Sequence, residues 1–83
     1  MPLFMDTHRG VEGLTAEAVA DAHAADMRVQ DQYGVNYLRY WYNEESGHVY
    51  CLVDAPDAES AAKVHREAHG LEAEEIVPVK EGA

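Results

Sequence analysis

The chain has 83 residues, 47% of them apolar and 27% charged, with 16 acidic against 6 basic side chains and a formal net charge of -10. That length supports a single domain over residues 1–83, one that buries only about 60% of its unfolded surface when alone, so a homodimer is expected. The acidic balance repels phosphate backbones and anionic lipid, which argues against nucleic-acid and membrane partners.

No apolar run approaches the roughly 18 to 20 residues of a bilayer span, and Met1-Pro2-Leu3-Phe4 lacks the basic start of a signal peptide. A lone Cys51 fits a reducing compartment, so a cytoplasmic location is expected. Five histidines in so short a chain are the functional lead.

Residues 2–9 read as a strand in which Phe4, Asp6 and His8 share one face and Leu3, Met5 and Thr7 the other. Gly10 and Gly13 mark the loop that follows. Thr15 is the expected N-cap of a helix running to Gln32, closed by Tyr33-Gly34. Its apolar stripe is Ala18, Ala22, Ala25, Val29 and Tyr33, with Val19 and Asp26 at the edge and His23 farther round. A carboxylate at that edge needs a donor, a cation or a route to water, which singles out Asp26.

Residues 35–43 and 48–54 are rich in aromatic and β-branched side chains and flank the turn residues Glu44 to Gly47, so they form a hairpin. Its register is open: Cys51 shares a face with Arg39 and Trp41, or with Leu38, Tyr40 and Tyr42, depending on one residue of loop length. Asp57 caps a second helix over 58–69 whose inward stripe is Ala61, Val64, His65 and Ala68, with His69 one turn beyond His65. Residues 75–79 form a last strand, kept at an edge by Pro78. The order βαββαβ is that of the α+β ferredoxin-like fold: a four-stranded antiparallel sheet with two helices on one face. Its other face is bare and aromatic, and a second copy is the simplest cover.

His65-Arg66-Glu67-Ala68-His69 places two imidazoles at i and i+4 on a helix, the geometry of two ligands to one divalent ion. Arg66 stands where a zinc protease carries its glutamate, so that chemistry is not supported. Asp6 and His8 can face the same cavity, and Asp26 can reach it from the first helix. Such nitrogen and oxygen donors suit nickel, copper, zinc or iron. Against this stand plainer readings: Asp6 pairs with Arg9 or Arg39 while His8 lies exposed, Cys51 is a small core residue, and His23 and His48 are solvated. Tyr40 and Trp41 are core or dimer interface. Nucleophile-elbow, phosphate-loop and dinucleotide glycine motifs are absent from the sequence.

The segments MPLFMDTHRGVEGLT, YGVNYLRYW, YCLVDAPD and VHREAHGL together resemble the small bacterial nickel-binding proteins of a family first catalogued as a domain of unknown function. The resemblance spans nearly the whole chain and implies a ferredoxin-like dimer that binds nickel inside the cell, for buffering or sequestration, with no established reaction. His8, His65 and His69 match the histidine-bearing segments and are the expected metal ligands, with Asp26 added from burial; other divalent transition metals remain candidates. The competing expectations are a small-molecule module with Tyr40, Trp41 and His65 facing a pocket, and a cofactor-independent oxygenase or isomerase of the dimeric α/β-barrel type with His65 as general base.

Overall fold

The computed structural model describes residues 2–82; Met1 and Ala83, the outermost residues of the expected domain, lie outside the described residues. Strand β1 (Leu3–His8) leads to helix α1 (Ala16–Val29), hairpin β2 (Asn36–Asn43) and β3 (His48–Asp54), helix α2 (Ala58–Ala68) and strand β4 (Glu75–Val79). The strands pair antiparallel in the order β2-β3-β1-β4, the ferredoxin-like arrangement expected from the element order. Among the described residues, no helix is long and apolar enough to cross a membrane.

Both helices begin at capped amides. Thr15 Oγ1 accepts from the Ala18 N–H at 3.1 Å, and Asp57 Oδ1 accepts from the Ser60 N–H at 2.8 Å. Each satisfies one of the amides that a first turn leaves without an intrahelical partner. The α-helix expected to run to Gln32 stops at Val29 and tightens into a 3₁₀ turn, Gln30–Tyr33. Gly34, at φ 65, ends that turn in the left-handed region. The buried face of α1 is also rotated from the expected stripe: Ala18 is exposed, whereas Val19 and Asp26 are buried. The alanines hold the helix near the sheet, and the deepest contact is polar.

A β-bulge between Tyr37 and Arg39 decides the hairpin register. It turns Tyr37 into the core and leaves Leu38 49% exposed, so Leu38 does not join Tyr40 and Tyr42. Cys51 then stands opposite Tyr40 on one side and Asp6 on the other, on the helix-facing side of the sheet. The core there comprises Val19, Val35, Tyr37, Val49, Cys51, Val53, Ala55, Ala61 and Val64. Trp41, Tyr50 and Val77 occupy the opposite face and are 48, 37 and 39% exposed. β4 is an edge strand, as Pro78 requires, with Pro78 opposite Phe4.

Gly47 clasps the hairpin turn to the loop after β1. Its carbonyl accepts from the Val11 N–H at 3.0 Å, its φ is +76, and a Cβ there would lie 2.9 Å from the Val11 nitrogen. Gly13 also has a positive φ, +68, but a Cβ there would meet nothing within 4 Å. Gly13→Ala should therefore cost only backbone strain, about 1 kcal/mol, whereas Gly47→Ala adds a backbone clash and should cost about 2–4 kcal/mol. Urea unfolding of the two variants measures the difference, and equal losses would remove the clasp from the account.

Candidate metal centre

Three elements bring their polar residues to one point under the helices. From β1 come Asp6 and His8, from α1 Asp26, and from the end of α2 His65 and His69; Asp6, His65 and Asp26 are 0, 1 and 2% exposed. His65 lies between the two carboxylates. Its Nδ1 is 2.9 Å from Asp26 Oδ1 and its Nε2 is 2.9 Å from Asp6 Oδ2. Two acceptors on one imidazole require two N–H donors, so the ring is an imidazolium. Burial alone pushes its pKa down, but the hydrogen bonds and charges of Asp26 and Asp6 outweigh that and raise it to about 9. Burial likewise pushes both carboxyls up; His65 and His8 at Asp6, and His65 and His69 at Asp26, more than reverse it and leave both below the ordinary range.

Tyr37, delivered by the bulge, donates its hydroxyl to Asp6 Oδ2 at 2.9 Å, with the Ala61 carbonyl oxygen a second acceptor at 3.1 Å. The other Asp6 oxygen, Oδ1, is buried without a hydrogen-bond partner; His8 Nε2 lies 3.4 Å from it. His69 Nδ1 accepts from the Leu71 N–H at 3.1 Å, so the neutral ring carries its proton on Nε2. That nitrogen is 3.0 Å from Asp26 Oδ1 but off a hydrogen-bond line. Burial, followed by the charge of Asp6, pushes the Cys51 thiol up, so it remains protonated and is a poor ligand as it stands.

Several expectations change at this point. Asp6 pairs with His65 and Tyr37 and not with Arg9 or Arg39; Arg9 instead reaches Glu74 and Glu75 on the surface. His8 is buried, because strand β1 is central and covered by the helices. His23 is half-buried with its ring 4.9 Å from that of Tyr40, and His48 is half-buried beside Tyr50; neither is simply solvated. Trp41 lies on the outer sheet face, away from Tyr40 and His65. An imidazolium held at both nitrogens has no lone pair, so His65 cannot serve as the general base of an oxygenase without first losing a proton.

Among the described residues, two donor sets have all their ligand atoms within 4.8 Å of one another: Asp26, His65 and His69, and Asp6, His8, Cys51 and His65. The expected ligands thus divide, with His69 and Asp26 in one set, His8 in the other, and His65 in both. Asp6 was weighed as a donor beside His8 but not counted among the expected ligands, and Tyr37, the hydrogen-bond partner of Asp6, was not expected at the site. Asp6 was readable as the strand neighbour of His8, whereas a bulge that redirects Tyr37 leaves no mark in residue type. The first set borders a cavity of about 200 Å³ between α1, the end of α2 and the sheet, rimmed by the clasped loop at Val11 and Leu14 and by Leu71.

Residues 4–79 match the model of a family described as nickel responsive protein SCO4226-like. The crystal structure of SCO4226 from Streptomyces coelicolor A3(2) superposes with a TM-score of 0.91 at 40% sequence identity, covering 98% of this chain and 99% of that one. No curated protein matches the chain.

Proposed function

The chain belongs to the SCO4226-like family of nickel-responsive proteins, and from that premise we propose that it binds a divalent transition metal, nickel foremost, through Asp26, His65 and His69. The observation that carries this reading is the convergence of those three side chains at the wall of an accessible cavity, with Asp6 behind His65. A metal on Nδ1 leaves Nε2–H donating to Asp6, the carboxylate–imidazole arrangement that orients a ligand and raises its basicity. Imidazole and carboxylate donors together suit nickel and its neighbours in the transition series. One proton, on His65 Nδ1, must leave as the metal enters, while His69 would bind through Nε2 with its single ring proton on Nδ1 instead. His8, whose ring lies 5.0 Å from that of His65 and whose Nε2 is 3.4 Å from Asp6 Oδ1, lines the same cavity and is the ligand reserve of the second set.

Binding for buffering or sequestration needs no reaction. The lone Cys51 supports a cytoplasmic setting, where thiols stay reduced. The exposed outer sheet face, with Trp41, Tyr50 and Val77, supports a homodimer joined sheet to sheet.

The test is calorimetric titration of nickel into single-histidine variants. His69→Ala should lower nickel affinity roughly 100-fold while leaving the melting temperature of the metal-free protein within a few degrees, because the ring makes no well-aligned buried hydrogen bond with Asp26. His48→Ala, at the far hairpin, should bind as the wild type does. Wild-type affinity in His69→Ala would move the metal elsewhere.

A further inference from the structure

The cavity beside the donor set has a chemistry that the three ligands do not use. Apart from the histidines, Asp26 and Glu12, its walls are mainly hydrocarbon: Val11, Leu14, Val19, Val49 and Leu71, with the Tyr40 ring opposite. Its volume, about 200 Å³, is far more than a few metal-bound waters need. Three protein donors leave coordination positions open on a transition metal, and the positions on the cavity side face these apolar walls. Waters placed there would have few hydrogen-bond partners. An organic molecule with two donor atoms at one end and an apolar or aromatic body at the other would satisfy both the metal and the walls.

We propose that the cavity holds a small bidentate organic chelator, a flat aromatic ring bearing a nitrogen donor beside a carboxylate, so that the protein takes its metal as a ternary complex. The proposal rests on the metal reading above and adds an occupant to that site. His23 and Tyr40, whose ring centroids are 4.9 Å apart, form the end against which a flat ring packs. The Asp26–His65–His69 end is where the donor atoms meet the metal. Leu71, 48% exposed at the mouth, marks the route of entry.

The sign of one effect separates this arrangement from ordinary competition. A free chelator normally withdraws metal from a protein, whereas a chelator that completes the site strengthens the protein's hold. Picolinate, a pyridine with one carboxylate, is the probe. With one equivalent of picolinate per nickel, the apparent nickel affinity of the wild type should rise roughly tenfold or more. Amide signals of Val11, Leu14 and Leu71 should shift beyond the changes that nickel alone causes. Leu14→Trp fills the cavity: it should bind nickel alone as the wild type does and show weakened binding when picolinate is added. Leu71→Trp, at the mouth, supplies the same comparison if Leu14→Trp fails to fold. Picolinate that weakens nickel binding equally in the wild type and a filled variant overturns the ternary complex while leaving metal binding intact. Picolinate that binds the metal-free wild type as tightly as the loaded one overturns it too. Nickel that does not bind the wild type overturns both readings.

Discussion

Asp6→Asn is expected to lower the stability of the metal-free protein by about 3–5 kcal/mol, enough to leave so small a domain largely unfolded. The substitution keeps the shape and removes the charge. His65 Nε2 and the Tyr37 hydroxyl both donate to Asp6 Oδ2 at 2.9 Å, and an imidazolium that is 1% exposed loses half of its counter-charge. The amide also offers an N–H group towards neighbours that are themselves donors. Where enough protein folds to be titrated, nickel affinity should fall about 10- to 100-fold, since Asp6 orients His65 without touching the metal. Urea unfolding followed by circular dichroism gives the first number. A loss under 1 kcal/mol would mean that the buried triad contributes little to the fold.

Stability and nickel affinity should move in opposite directions across the alkaline side of neutrality. His65 has a folded pKa of about 9 against its ordinary 6.5. A raised pKa stabilises the fold fully below the unfolded value and ceases to do so as pH rises through the folded one, a change of about 3 kcal/mol here. Asp6 and Asp26 are held below 3.8, so their contribution is present above that value and disappears as acid protonates them. The metal-free protein should therefore melt highest between roughly pH 5 and 6.5 and progressively lower towards pH 9. Nickel must displace the proton from His65 Nδ1, so its affinity should rise about tenfold per pH unit over pH 7 to 9. Melting curves at several pH values, with and without nickel, follow both trends. A metal-free melting temperature that climbs from pH 6.5 to 9 would contradict a buried imidazolium.

The element order, the two caps and the edge position of Pro78 were readable from the sequence because each rests on local chemistry: a side-chain acceptor at a helix start, or a residue with no N–H to give. His65 was readable as inward because Ala61 and Val64 share its face. Asp26 was singled out as a misfit and proved to be a partner of that histidine. The partnership itself was not readable, since it joins residues 39 and 59 positions apart, which only the assembled sheet and helices bring together. The direction of Tyr37 depended on a single bulge, and the burial of His8 on β1 lying inside the sheet. A period-two pattern carries neither fact.

The hydrogen bond between the Leu71 amide and His69 would connect metal loading to movement. In the metal-free ring the proton sits on Nε2 because Nδ1 accepts from the Leu71 amide at 3.1 Å. With a metal held at Nε2, the ring's single proton would sit on Nδ1, facing the Leu71 N–H. Two donors would not share that 3.1 Å separation, so the ring or the backbone after α2 would shift, and Leu71 lines the cavity. On the proposed site, the tautomer of this one histidine would record whether a metal is in place, and the loop at Leu71 would respond to it. The nitrogen shifts of His69 report the tautomer, and the exchange rate of the Leu71 amide reports the loop.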